Sequence, residues 1–353
     1  RTPNGGIQPQ TVLDRDGVLH MIYFIGNAAG GDIEYVRREA EGGVFSEPIR
    51  VNSVTHSAIA IGTVRGPQMA VGKDGIVQVI WFGPAEKTAA GESAMPVFFA
   101  RLNEHHTAFE PQRNLVQYAT GGDGGVSIAA DGKGNVYAVW HATGEQSGED
   151  HRRVYLAFSS DNGKTFPREI PVSPAELGAC GCCGMRAFVD TRGIFYVLYR
   201  TAAQSTHRDM TLLASADRGT TFQARTLSTW DLNACALTTA SLANARNGIA
   251  AAWERAGEVY FTSIDNRTFA PSDSIAAPGE AHNRKHPAVA VDASGNTLLA
   301  WTDGTGWAKG GSLAWQLFDA AGKPLSSGTA PDVPVWGLPS AVVERSGSFT
   351  VVY

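Results

Sequence analysis

Charge is scarce in this chain. Asp, Glu, Lys and Arg make up 18% of the 353 residues, against about 25% in an average soluble protein. The basic residues are scattered and the formal net charge is −5. That excludes the basic stripe with which a protein tracks a phosphate backbone, so nucleic acid is not an expected partner. No apolar run approaches the roughly 20 residues of a membrane-spanning helix, so no membrane span is expected. No segment carries a capped 3.6-residue apolar period, which argues against a helical fold. The chain opens at Arg1 without the basic and apolar regions of an export signal. The expectation is that such a signal has been removed or never existed. Cysteine is limited to four residues, an even number that permits an oxidising compartment without requiring one.

Glycine, by contrast, is plentiful: 40 residues, about 11% against about 7% typically. Much of it belongs to a repeat. A turn glycine is followed by five mostly apolar or alternating residues and then an aromatic. The marker runs Gly17 to Tyr23, Gly75 to Trp81, Gly134 to Trp140, Gly193 to Tyr199, Gly295 to Trp301 and Gly347 to Tyr353, with Gly248 to Trp253 one residue shorter. Successive aromatics lie 48 to 59 residues apart. A period of this size built from short strands predicts an all-β propeller of four-stranded antiparallel blades, occupying 1–353 as one domain. In the third unit the predicted strands are 126–130, 135–141, 153–159 and 168–172. Six units have room for four strands. A seventh has two, 339–344 and 348–353, after which the sequence ends. Seven repeats with an incomplete last one are favoured over six, with either a natural chain continuing past Tyr353 or an odd partial blade.

The turn between third and fourth strands is the most specific motif. Ser159-Ser160-Asp161-Asn162-Gly163-Lys164-Thr165-Phe166 fits Ser-x-Asp-x-Gly-x-Thr-Phe, and so does Ser215-Ala216-Asp217-Arg218-Gly219-Thr220-Thr221-Phe222. Weaker echoes end at Phe45, Phe109 and Phe269. The motif resembles the Asp-box of sialidases and other Asp-box (BNR-repeat) propellers. Its chemistry is local: the Asp accepts backbone N–H groups of its own turn, Gly allows positive φ, and the aromatic plugs between strands. The resemblance implies a propeller, six-bladed in sialidases, and a periplasmic or secreted location. It also implies a glycan or other small-molecule ligand. The family's three carboxylate-binding arginines, Tyr–Glu pair and Asp acid/base find no matching motif. The early Arg-Ile-Pro is replaced by Gly6-Ile7-Gln8-Pro9.

Strand direction alternates within a blade, so loops from fourth to next first strand and from second to third strand share one face. The loops at 56–66, 119–125, 174–185, 229–238, 278–286 and 331–338 ring the channel mouth, a usual place for function. Glycosidase chemistry would need acid/base carboxylates there. Asp123, Asp231, Glu254 and Asp303 are the candidates, with Arg186 and Arg284 to bind substrate.

The densest chemistry is Cys180-Gly181-Cys182-Cys183, with Cys235 in the loop entering the next blade. Three thiols within four residues cannot all form unstrained disulfides with one distant partner. Converging, the four would be a soft ligand set, best suited to copper, with zinc as the alternative metal. His286, opening a first strand, is the expected non-sulfur ligand, and His282 lies four residues before it. Two structural disulfides in a protein-binding propeller, without metal, is the remaining alternative.

Overall fold

The computed structural model describes residues 1–87, 93–143, 146–281 and 283–353. Among these there is no α-helix and only three single-turn 3₁₀ segments. Six antiparallel sheets of four strands follow one another along the chain. Their innermost strands are Ile7–Leu13, Gln68–Val71, Val126–Ala130, Arg186–Val189, Ser241–Ala245 and Lys285–Val291. A seventh, two-stranded sheet pairs Ser340–Val343 with Phe349–Val352. Its inner strand packs on the inner strands of both blade six and blade one, so seven positions close the ring. Blades one to six are thus complete and the seventh partial, as the repeats predict.

The turn glycine of each marker adopts positive φ, between 71° at Gly75 and 158° at Gly248. An L side chain is strained there, which explains why glycine recurs at this place. In blades one, three, four and six the preceding aspartate (Asp14, Asp131, Asp190, Asp292) accepts the backbone N–H four residues on, which closes the same turn. The strand that follows delivers its aromatic to a fixed destination. Trp81 is buried between blades one and two with Ile22, Phe24 and Tyr35. Trp140 lies between blades two and three with Phe82 and Phe99. Tyr199 fills the seam of blades three and four, Trp253 that of four and five, and Trp301 that of five and six. Tyr353 joins the seam of six and seven, and Tyr23 that of seven and one. Each of the seven repeats therefore supplies one aromatic plug to the seam on its upstream side.

Polar bonds reinforce the seams at the channel wall. Ser127 Oγ accepts the Ala187 N–H at 2.9 Å and Ser241 Oγ accepts the Val289 N–H at 3.2 Å. Ser340 Oγ accepts the Thr11 N–H at 3.0 Å. The last of these closes the ring with the device used between complete blades, so blade seven holds an ordinary place despite its missing outer strands.

Both full Asp-boxes fold as their residues dictate. Thr165 donates its N–H to Asp161 Oδ1 at 2.9 Å and its hydroxyl to Oδ2 at 2.6 Å, and Gly163 N–H reaches Ser159 Oγ at 3.0 Å. The box of Asp217 repeats these bonds with Thr221, Gly219 and Ser215. The box aromatics then pack inward, Phe166 edge-on to Phe99 and Phe222 edge-on to Phe195. Even the weak echoes keep that plug: Phe109 meets Tyr35 and Phe269 meets Tyr196.

Two tests follow from this architecture. Trp140 is fully buried in the largest seam cluster, so Trp140→Ala should cost about 3–5 kcal/mol in denaturant unfolding. Tyr353 is half-buried in a seam with three buried partners, so Tyr353→Ala should cost under about 2 kcal/mol. Equal costs would show that the seams do not carry the stability. The second test uses pH. Partial burial of Asp161 opposes ionisation, but the Ser159 and Thr165 bonds outweigh it and hold its pKa at about 2, below the ordinary 3.8. The Thr221 hydroxyl and N–H hold Asp217 at about 2 as well. A carboxylate depressed on folding stabilises above its unfolded pKa, and this is lost as pH falls through the folded value. Asp161→Ala should therefore cost about 1 kcal/mol at neutral pH, discounted for exposure. That cost should shrink as pH falls below about 4 and vanish only below about pH 2, and a cost independent of pH would contradict the assignment.

Candidate metal centre

The loop at 174–185 enters blade four and the loop at 229–240 enters blade five, side by side on one face. Backbone bonds bind them: Gly184 N–H donates to Thr238 O at 2.9 Å, and Cys180 N–H to Arg200 O at 2.9 Å. Gly181 donates its N–H to Glu149 Oε1 at 2.9 Å. A side chain at Gly181 would run into the Arg152 guanidinium, and one on Gly125 would sit 2.7 Å from Gly184 Cα. Close backbone approach explains why glycine alternates with cysteine here.

The result is a buried knot of sulfur. Cys180 Sγ lies 3.4 Å from Cys182 Sγ and 2.9 Å from Cys183 Sγ. All three sulfurs lie within 4.8 Å of one another. All four cysteines are free thiols, the first three buried and Cys235 exposed. The knot packs on Ala202 and Ala236, with Trp230, Leu232 and Leu237 beside it. Cys235 sits outside the trio, near enough to Cys182 to shift its titration.

The thiols do not ionise alike. Bonds from Cys180 and Cys183 stabilise a thiolate on Cys182 and carry its pKa well below the usual thiol range. Bonding to that thiolate pushes Cys180 up to about 12. Burial pushes Cys183 upward, and the Cys182 thiolate does the same to Cys235. Of the clustered thiols, Cys182 is thus the one its neighbours push toward the thiolate. Arg208 supplies the compensating cation: it is 4% exposed and its charge favours ionisation at Cys180. Arg208 donates to Glu149 at 2.7 Å, yet its Nε and Nη1 have no oxygen or nitrogen partner. Arg152 reaches Glu149 Oε1 through Nη1 at 3.6 Å, an ion pair too long for a hydrogen bond, and its Nε has no partner. Buried guanidinium groups left open beside a thiol cluster suit an anionic, thiolate-rich centre. His141 lies against the Cys183 backbone, and burial followed by repulsion from Arg152 pushes its pKa down to about 4, so the ring is neutral.

His286 does not join the sulfurs. It is buried with positive φ, its Nδ1 is 3.4 Å from Thr239 Oγ1, and burial pushes its pKa down to about 3. It lines a separate small pocket with Leu237, Trp307 and Trp336. His282 lies outside the described residues. The carboxylates are equally dispersed. Asp123 pairs with Arg65 at 2.5 Å, and the exposed Asp231 with His207 at 2.5 Å. Glu254 is buried, and loss of solvent raises its pKa. Asp303 Oδ1 is buried without a partner. Arg284 is consumed by Glu258 and by the carbonyls of Ala277, Pro278 and Glu280. Arg186 points into the channel, where its Nη1 donates to Gln10 and Gln68.

The ring, the seams and the box turns decide the fold class. The chain has the propeller fold of sialidases and arabinanases. Structure comparison matches it to a protein of unknown function from Dyadobacter fermentans, with a TM-score of 0.58 at 14% identity over 92% of this chain and 93% of that one. It matches a Penicillium chrysogenum α-L-arabinanase complexed with arabinobiose with a TM-score of 0.55 at 12% identity, over 91% and 95% of the two chains. A leech intramolecular trans-sialidase matches with a TM-score of 0.50 at 11% identity, over 99% of this chain and 65% of that one. A scan of protein-family models finds no match, and a search of curated proteins finds none either. At these identities the likeness concerns the fold alone. The propeller is common ground and the cysteine knot is what sets this chain's chemistry apart from its sequence repeats.

Arg208, Glu149 and Arg152 were not singled out by sequence reasoning. All three lie on second-to-third-strand loops of blades three and four, on the face that carries the cysteines. That placement was the signal available. Their assignment is testable: thiolate absorbance in the ultraviolet should be present at neutral pH and lost in Cys182→Ser. Replacing Arg208 with Met should raise the pH at which the signal appears. An unchanged titration in both variants would refute the charge distribution described.

Proposed function

We propose that the protein binds a soft metal ion at Cys180, Cys182 and Cys183, and that the ion is copper(I). The single observation behind this reading is the three buried, free sulfurs within 4.8 Å of one another. Thiolate selects soft ions, and no carboxylate or imidazole atom belongs to the same group among the described residues. Metal–sulfur distances near 2.3 Å place three trigonal sulfurs about 4 Å apart. The sulfurs would need to open by about 0.5–1 Å from their present contacts, within the range of a rotamer adjustment. Zinc prefers four ligands in a tetrahedron and would have to recruit the exposed Cys235. We also propose an extracytoplasmic location, which the Asp-box resemblance suggests. Cell fractionation tests that part.

The protonation pattern sharpens the metal test. The cluster favours a thiolate at Cys182 and the thiol form at Cys180 and Cys183. Binding through three thiolates must therefore release protons at neutral pH, and affinity must fall as pH falls. Anaerobic titration with copper(I) against a chromophoric chelator should give one ion per chain. Calorimetry in buffers of different ionisation enthalpy should report the proton release. Cys183→Ser should lose the ion while keeping its β spectrum, because the site lies on loops. Cys235→Ser should retain copper and lose any zinc. Two mapped disulfides in the native protein, with no free thiol and no metal, would overturn the reading.

A further inference from the structure

The channel through the ring holds a second chemical feature, distinct from the thiols. The inner strands enclose a cavity of about 290 Å³ whose wall carries Arg186 as its sole charged side chain among the described residues. The rest of the wall is hydroxyl, amide, aliphatic and aromatic, including Thr63, Gln68, Thr239 and Ser241. No carboxylate pairs with Arg186, and burial alone lowers its pKa to about 10. It is thus a cation at neutral pH.

Its surroundings hold it in one orientation. Nη1 donates to Gln10 Oε1 at 2.6 Å and to Gln68 Oε1 at 2.7 Å, one amide from blade one and one from blade two. Across the channel from their own blade, these bonds use up one end of the guanidinium. Nε has no partner. Nε, which is closed off from solvent, and Nη2 form the edge left unpaired, and a guanidinium edge matches two carboxylate oxygens in parallel N–H···O bonds. A half-buried cation without a counter-charge is costly, and a cavity of this size admits only a small molecule.

We infer that the central channel is a binding site for a small carboxylate anion, with Arg186 as its charged contact and Gln10 and Gln68 as its positioning residues. This site is independent of the metal reading, because its wall contains no cysteine. Gly184 and Met185 line the same cavity and continue directly from Cys183, so the two sites share a stretch of backbone.

The probe is acetate, exchanged for chloride at constant ionic strength and neutral pH, with thermal unfolding as the readout. A ligand bound only by the folded state raises the melting temperature in proportion to its occupancy. The wild-type protein should show a rise that grows with acetate. Arg186→Gln should weaken acetate binding about tenfold or more, since charge-assisted bonds are lost. Gln68→Glu offers a carboxylate to Nη1 from within the wall and should abolish the response even if Arg186→Gln fails to fold. Cys183→Ser should keep the response in full, which separates this site from the metal centre. A melting temperature indifferent to the exchange of acetate for chloride would overturn the proposal. So would an equal response in Arg186→Gln or in Gln68→Glu.

Discussion

Everything in this molecule depends on the burial of one aromatic per seam. A single blade is a small, twisted sheet with two faces, and neither face can be left in water. The ring solves this by stacking each blade on the next, and the repeat aromatic is the residue that fills the gap. Trp81, Trp140 and Trp253 are fully buried in this role. Dispersion and apolar burial give no direction, so register comes from elsewhere: the turn glycine, the strand alternation and the seryl bonds at the channel wall. Among the described residues, the seams next to the partial blade have four and three buried members, against ten to sixteen in the others. Closure thus rests on a thinner contact than the rest of the ring.

A rigid ring lets its loops hold unfavourable groups. Three thiols, two guanidinium groups with unpaired nitrogens and a neutral histidine gather around the cysteine loop in one protein interior. None of these stabilises the fold by itself. The Arg208 guanidinium is buried close enough to Cys180 and Cys182 for thiolate charge to raise its pKa, at the cost of desolvating the cation. Such arrangements persist where the surrounding scaffold over-determines them and where a ligand completes them. The same reasoning holds for Arg186, whose charge has amide partners but no anion.

The distribution of carboxylates separates this chain's site from its fold. Asp123 and Asp231 are tied to Arg65 and His207. Glu254 is buried beneath the second-to-third loop of blade five. A propeller is a platform on which unrelated chemistry can be mounted, so the resemblance to glycoside-cleaving enzymes speaks for the platform. The sulfur knot is particular to the loops of blades four and five.

The seven blades, their turns and their plugs were legible in the amino-acid order because they obey local rules. A glycine at positive φ, an aspartate closing its own turn and an aromatic at fixed spacing each act within a few residues. The Cys180–Cys183 trio was legible for the same reason: residues so close in a glycine-rich loop can hardly avoid one another. What only the tertiary structure decided was contact between distant segments. His286, four residues from His282 and suited by chemistry to the metal, is turned by the ring toward Thr239 and Trp336 instead. Arg208 and Arg152, unremarked in the sequence, are brought to the thiols by loops of two different blades. Arg186, an ordinary arginine at the start of a strand, becomes an isolated charge because closure sets Gln10 and Gln68, and no carboxylate, against it. Spacing along a chain records what neighbours can do, whereas the charge around a buried group is set by whatever the closed ring places opposite.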